Sequence, residues 1–237
     1  MIRVTGDWHT HTTHSHGKGS MEDNVRAALL KGLASVAISD HGFSHLFYNI
    51  RDVDRYLLEI SALKKQYAGR IEVFSCVELN LLSMDGDLDI PPGYEGAFDL
   101  TMFGYHKMAG FADAKSAWRF LLPKSRGKKA VEKNTAAYVA AVGKNKVDMI
   151  SHPGYGLPID KVVLAEACAL RGTALEINAK HPEFTVEELM ACAKTGVKFV
   201  IGSDAHSPER VGDFAAALAR VYEAGLSAAQ IVNAKEA

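Results

Sequence analysis

Cysteine is scarce in this sequence: three occur among 237 residues, and none forms a Cys-x-x-Cys pair. An odd number at wide spacing gives no basis for a disulfide framework. Cys76, Cys168 and Cys192 lie within apolar runs and are therefore predicted to be reduced thiols of the core. No apolar run approaches the ~20 residues of a membrane span, and residues 1–11 lack the pattern of a signal peptide. A cytoplasmic protein with no membrane partner is expected.

Excess charge of either sign is also missing, since 27 Lys and Arg residues nearly balance 28 Asp and Glu residues. A chain without a basic surplus is not expected to bind long nucleic acid. No Gly-x-Gly-x-x-Gly motif follows an apolar run, which disfavours a dinucleotide-binding fold. No Gly-x-Ser-x-Gly motif or evident Ser-His-Asp or Cys-His constellation supplies a nucleophilic side chain.

Short apolar runs alternate with helix-like segments along the whole chain. The runs cover residues 2–8, 35–39, 71–79, 100–105, 147–150, 174–178 and 197–201. The helical patterns cover residues 21–31, 52–67, a stretch ending at 142, then 159–171, 186–195, 212–224 and 228–235. This alternation predicts an α/β fold with a parallel sheet, for which a nearly closed barrel competes with an open doubly wound sheet. No low-complexity linker divides the chain, so one domain over residues 1–237 is predicted.

Each apolar run is followed by side chains that can bind a metal or a substrate. In chain order the runs end near His9 and His11, His41, Glu78, His106, His152, Asn178, and Asp204 with His206. The carboxyl ends of barrel strands form one face, where active sites of such barrels lie. Residues two apart in a strand share a face, so His9 can reach one metal together with His11. Many histidines with few carboxylates favour divalent transition metals over calcium or magnesium.

Four of these segments together resemble the motifs of the PHP (polymerase and histidinol phosphatase) family. They are Asp7-Trp8-His9-Thr10-His11, Ser39-Asp40-His41-Gly42, Ser151-His152-Pro153-Gly154 and Gly202-Ser203-Asp204-Ala205-His206. The resemblance spans nearly the whole chain in the family's order. It implies a distorted TIM-like (β/α)7 barrel with up to three divalent metal ions, which would be Zn, Mn or Fe.

The resemblance also implies a set of nine ligands. His9, His11 and Asp204 would hold the first metal, Glu78 would bridge it to the second, and His106 and His152 would complete the second. His41 and His206 would hold the third metal with a histidine of the loop after His11. That loop offers His14 and His16, and His16 better fits the family's position just before the first helix.

The implied activity is hydrolysis of a small phosphorylated metabolite by a metal-bridging hydroxide. Lys107, Arg119 and His181 are candidate substrate-binding residues. The basic run at 124–129 belongs to a connection, 110–127, that can form a lid over the site or a solvated surface. Alternatives are an amidohydrolase-like enzyme that cleaves C–N bonds, a nuclease or proofreading module, and a non-catalytic metal-binding scaffold. The sequence leaves a homo-oligomer open.

Three further polar residues near the motifs have other predicted roles. His45 matches no ligand position and is predicted to be a solvated loop residue. Asp7 and Asp40 each lie close before a predicted ligand in the sequence. Each can fix the tautomer of an imidazole or cap a local turn, and the sequence does not decide between these two roles.

Overall fold

The computed structural model describes residues 1–121 and 127–237. Its central sheet contains seven parallel strands that are paired in the order in which they occur along the chain. They are β2 (Gly6–Asp7), β3 (Ser35–Ile38), β4 (Glu72–Asn80), β5 (Leu100–Gly104), β6 (Met149–Ile150), β7 (Ala174–Asn178) and β8 (Phe199–Gly202). Beyond the ends of β2 and β8, Thr10 bridges to Ala205, and the His11 amide donates to the Ala205 carbonyl at 2.8 Å. The sheet thus closes almost completely, which confirms the predicted (β/α)7 barrel.

Seven α-helices are described, and most of them connect consecutive strands. They are α1 (Met21–Leu30), α2 (Val53–Gln66), α3 (Ala114–Leu121), α4 (Lys128–Lys144), α5 (Lys161–Arg171), α6 (Val186–Ala193) and α7 (Ala215–Glu223). Helix α1 begins with a capping box in which Ser20 and Asp23 exchange side-chain to backbone hydrogen bonds. No described helix is both long enough and apolar enough to cross a membrane.

The interior of the barrel changes from apolar to polar along the strands. A separate apolar cluster takes one residue from each of six neighbouring strands, namely Ala37, Cys76, Met102, Met149, Ala174 and Val200. Two residues further along β4, β7 and β8, on the same face, lie Glu78, Glu176 and Gly202. The apolar cluster therefore forms a packed core inside the barrel. The polar side chains lie beyond it, toward the carboxyl ends of the strands. All three cysteines are buried free thiols, as predicted.

The C-terminal segment seals the amino end of the seam between β2 and β8. The Asn233 amide donates to the Gly6 carbonyl at 2.8 Å and to the Ile201 carbonyl at 2.7 Å, and its oxygen accepts from the Ile201 amide at 3.0 Å. One buried side chain thereby joins the first and last barrel strands. These hydrogen bonds give partners to backbone groups of Gly6 and Ile201, which β2 and β8 do not pair with each other.

The prediction of a helix over residues 228–235 is wrong. The structure has a 3-10 turn at Ala228–Gln230, followed by β9 (Ala234–Glu236), which pairs antiparallel with β1 (Ile2–Val4). The alanine content favours a helix, but helix propensity is weak in so short a segment. Strand pairing with β1 and the hydrogen bonds of Asn233 fix an extended path instead. The predicted first run, 2–8, is accordingly divided between β1 and β2.

Candidate metal centre

A buried carboxylate stands at the centre of the polar end of the barrel. Glu78, on β4, is fully buried, and no hydrogen-bond partner for either of its oxygens is found among the described residues. Five imidazole nitrogens nevertheless lie within 3.6 Å of these oxygens; they belong to His152 (2.9 Å), His41 (3.0 Å), His106 (3.3 Å), His9 (3.4 Å) and His11 (3.6 Å). A buried charge without hydrogen bonds is costly, so this arrangement fits a position shared with a cation.

A second carboxylate, Asp204, lies beside the same imidazoles. Its Oδ1 atom is 3.2 Å from His206 Nδ1, 3.4 Å from His11 Nε2 and 3.9 Å from His9 Nε2. The ligand atoms of His9, His11 and Asp204 all lie within 4.8 Å of one another. The same holds for a second group, formed by His41, Glu78 and His106. It also holds for a third group, formed by His11, His41 and His206.

The loop after His11 brings His16, and not His14, to this cluster. The ring of His16 is centred 4.2 Å from the ring of His206 and 4.9 Å from that of His41. His14 instead places its Nε2 atom 3.1 Å from Glu59 of α2. The structure therefore brings together all nine side chains named from the sequence, and it favours His16 over His14.

Electrostatics prepares part of this donor set for a dication. Burial lowers the pKa of His41 to about 4 and that of His16 to about 3, so both imidazoles are neutral near pH 7. Burial acts to raise the pKa of Glu78, but His106, His9 and His41 outweigh it and hold that pKa well below its usual range. Metals require neutral imidazole and ionised carboxylate, and imidazole with carboxylate suits Zn, Mn and Fe.

The two aspartates that lie close before the ligands organise turns. Asp7 accepts hydrogen bonds from the backbone and hydroxyl of Ser203 and from the Gly212 amide. Asp40 accepts from the backbone and hydroxyl of Thr12 at 2.7 and 2.6 Å. These contacts favour the turn-capping alternative for both residues.

Two imidazoles are oriented by residues that the sequence does not single out for this role. Asn80 places its Oδ1 atom 2.8 Å from His106 Nδ1, and the Asn80 amide donates to Asp89 at 2.5 Å. Glu176, on β7, places its Oε1 atom 2.7 Å from His9 Nδ1. Asn80 follows Glu78 by two residues on the same strand, a spacing that signals its inward direction. Glu176 likewise lies two residues from Asn178 on β7, and this spacing gives its inward direction but does not identify its partner, His9.

His45 corrects another expectation. It is 8% exposed, whereas a solvated residue is predicted. Its Nδ1 atom accepts from the backbone amides of Phe47 and Tyr48, and its segment bridges to Ala109. The imidazole thus closes a turn beside the centre, a local hydrogen-bonding role that sequence spacing does not reveal.

A cavity of about 570 Å³ opens above the centre. Lys107 and His181 line it, as does Lys180, which the sequence analysis does not identify. The Lys180 ammonium is 3.3 Å from Asp204 Oδ1 and 2.9 Å from His206 Nδ1. Two half-exposed tyrosines flank the opening: Tyr48 stacks on His16 at 4.2 Å, and Tyr155 stacks on His181 at 3.8 Å.

Arg119, the third predicted substrate-binding residue, does not line this cavity. Its guanidinium donates to the Ala130 carbonyl at 2.7 Å and to Asn134 Oδ1 at 2.9 Å. Arg119 therefore joins α3 to α4, because its Nη2 atom donates to two acceptors of the neighbouring helix. Of the predicted basic run, Lys124 and Arg126 lie outside the described residues, and so does part of the predicted lid at 110–127.

The fold and the site define the class of this protein, an α/β barrel whose carboxyl end carries a cavity lined by histidines and carboxylates that could hold metal ions. Within that class, residues 7–224 match the model of the PHP domain, and the chain belongs to the PHP domain family. It is 30% identical to a probable phosphatase of Thermoanaerobacter sp., covering 98% of this chain and 91% of the relative. It is 29% identical to a probable phosphatase of Aeromonas hydrophila, covering 98% and 90%.

Solved structures agree on the fold. The histidinol phosphate phosphatase of Lactococcus lactis, described as complexed with zinc, L-histidinol and phosphate, has a TM-score of 0.67 at 16% identity, covering 94% of this chain and 95% of that one. A putative histidinol phosphatase of Listeria monocytogenes has a TM-score of 0.62 at 16% identity, covering 87% and 97%. The comparisons confirm the predicted family, the predicted barrel, and the prediction of an enzyme from a family whose relatives are named phosphatases.

Proposed function

We propose that this protein is a metal-dependent phosphoric monoester hydrolase that acts on a small phosphorylated metabolite. The observation that carries the proposal is Glu78, a buried carboxylate with five imidazole nitrogens around it and no described hydrogen-bond donor. The names of the relatives support the reaction class. The zinc, L-histidinol and phosphate of the Lactococcus lactis protein support the ligand class.

Three divalent ions, Zn, Mn or Fe, fit the donor groups of the centre. His9, His11 and Asp204 would hold one ion, and Glu78 would be shared with a second one held by His106 and His152. His41, His206 and His16 would hold the third. When bound, such ions act as Lewis acids and lower the pKa of water enough to supply hydroxide near neutral pH.

The residues of the chain itself would bind and orient the substrate. The Lys180 ammonium and the Lys107 side chain place positive charge on the cavity wall, which attracts a phosphate dianion. His181 borders the same wall, and its Nε2 atom is 3.6 Å from Asp204. A cavity of about 570 Å³ has the size of a small-molecule pocket. A compact phosphorylated metabolite suits it better than a polymer does.

One structural feature separates this proposal from C–N bond hydrolysis. Amidohydrolases that share the His-x-His motif commonly bridge two metals with a modified lysine on the fourth strand. Here the fourth barrel strand, β5, is followed by His106, whose Nε2 atom is 3.3 Å from Glu78. The bridging position belongs to a glutamate of the third barrel strand, which favours the phosphoesterase.

The proposal is tested by metal analysis of the purified protein and a phosphate-release screen over a metabolite panel with Zn, Mn or Fe. We expect metal-dependent release of phosphate from at least one small monoester. His9→Ala and Glu78→Ala should each abolish this release and lower the bound metal. Glu72→Gln, at the exposed amino end of β4, is the matched control. Absence of phosphate release with every metal would reject the proposal.

A further inference from the structure

Strand β7 differs from its neighbours because neither the strand nor the loop that follows it supplies one of the nine proposed ligand residues, and none of its residues belongs to the candidate metal-binding groups found in the described part of the chain. Two of its polar side chains nevertheless face the centre. Glu176 and Asn178 are two residues apart, so they lie on the same face of the strand. Both are buried.

Glu176 contacts two of the proposed ligand residues at once. Its Oε1 atom is 2.7 Å from His9 Nδ1, and its Oε2 atom accepts from the His152 backbone amide at 2.7 Å. Oε2 also accepts from the Asn178 side-chain amide at 2.9 Å. The Nε2 atom of His9 is thereby directed at Glu78 and Asp204, at 3.4 and 3.9 Å.

Asn178 extends these contacts to a third ligand. Its amide donates to Asp204 Oδ2 at 3.3 Å, and its oxygen accepts from the Lys180 and His181 backbone amides. Asp204 has φ of 51°, and His152 has φ of 28°. Both ligand residues thus adopt backbone conformations that side chains disfavour, and both are held from β7.

Gly202 on the neighbouring strand makes room for Glu176. A Cβ atom at Gly202 would lie 2.0 Å from Glu176 Oε1 and 3.0 Å from His9 Cβ. No side chain fits at this position unless the carboxylate moves. Gly202 therefore offers a second way to displace Glu176 without changing the carboxylate itself, and the closer of the two contacts is with Glu176.

From these contacts we infer that Glu176, supported by Asn178, is a positioning residue for the metal centre. It fixes the proton of His9 on Nδ1 and leaves the Nε2 lone pair free for the metal. Through His152 it also joins the first and second proposed metal sites. The inference rests on the metal centre of the proposed function, although it does not require a particular substrate.

The decisive variant is Glu176→Gln, which keeps the shape but replaces one of the two acceptor oxygens by an NH₂ donor. The glutamine oxygen can satisfy the His152 amide, and the NH₂ group then faces His9 Nδ1. A donor at that place forces Nδ1 to accept, so the ring proton moves to Nε2 and blocks the metal. We expect zinc affinity, measured by chelator competition, to fall about 10- to 100-fold. Gly202→Ala should weaken zinc binding in the same direction, and Glu72→Gln should not.

The tautomer supplies a readout that a purely structural role would not change. In ¹⁵N-histidine NMR of the zinc-loaded protein, wild type should show a His9 Nδ1–H resonance that Glu176→Gln loses. Folded Glu176→Gln with zinc affinity within about twofold of wild type and an unchanged resonance would overturn the inference. If Glu176→Gln does not fold, the same two measurements on Gly202→Ala decide. Failure of wild type to release phosphate would count against the proposed function and leave this result standing.

Discussion

Glu78→Gln is the substitution from which the structure predicts the largest effect on metal-dependent stability. The variant keeps the volume of a fully buried side chain but removes the charge that five imidazole nitrogens surround. The first proposed site would retain His9, His11 and Asp204. The second would retain only His106 and His152. We therefore expect the variant to fold and to lose most of its response to metal.

The magnitude follows from linkage between metal binding and folding. Removing a residue that merely orients a ligand costs 10- to 100-fold in metal affinity, so loss of a shared ligand should cost about 100-fold or more. At a free metal concentration of about 100 Kd, wild type gains about 2.7 kcal/mol, and the variant would gain about 0.4 kcal/mol. For a chain of this size these values correspond to rises in Tm of about 5–11 °C and about 1–2 °C.

The assay is thermal unfolding in buffers that fix the free zinc concentration, with bound metal counted in parallel. Glu72→Gln should respond as wild type does. A metal-induced rise in Tm for Glu78→Gln equal to that of wild type would show that Glu78 is not a ligand. Because metal-free samples are scanned too, a change in intrinsic stability is separated from a change in metal binding.

Three other outcomes are expected. Asn233→Ala leaves three backbone groups of the barrel seam without their side-chain partner. It should lower the free energy of unfolding, measured by urea titration, by about 3 kcal/mol or more. A loss below about 1 kcal/mol would mean that the seam closes without Asn233. Burial opposes protonation of His9, but Glu176, Glu78 and Asp204 outweigh burial and raise the pKa of His9. Because zinc requires the neutral imidazole, zinc binding should release a proton, and zinc affinity should increase as pH rises. Calorimetry in two buffers of different ionisation enthalpy measures that proton, and affinity that weakens with rising pH would contradict the assignment. Lys180→Met should reduce kcat/KM for the phosphorylated substrate about tenfold by removing a cavity cation, and unchanged kinetics would place Lys180 outside the substrate site.

The pattern of polar residues after apolar runs predicts most of the site because parallel topology converts sequence position into spatial position. Once seven strands are parallel, their carboxyl ends must share one face. His9 and His206 are nearly 200 residues apart, and this rule alone brings them together. The position of these side chains can be predicted because it depends only on where the strands end and on their direction. The hydrophobic periodicity of the sequence indicates where the strands lie.

The same reasoning does not locate side chains whose roles depend on local hydrogen bonds. His45 is buried because two backbone amides of its own turn need an acceptor. Arg119 faces α4 because two acceptors on that helix bind its Nη2 atom. Neither set of partners is visible in residue spacing. The helix predicted for segment 228–235 is wrong for a related reason. The strand with which this segment pairs, β1, lies at the other end of the chain.

The backbone of two proposed ligand residues is consistent with a centre that the protein fold organises. His152 and Asp204 both have positive φ, and such conformations cost of order 1–3 kcal/mol each and persist only where surrounding contacts determine them. Those contacts are present: Glu176 accepts from the His152 amide, and Asn178 donates to Asp204. Both come from a strand that supplies no candidate ligand. These hydrogen bonds within the protein therefore help to offset this strain. Metal affinity should accordingly depend on Glu176 and Asn178 of β7, although neither of them is a proposed ligand.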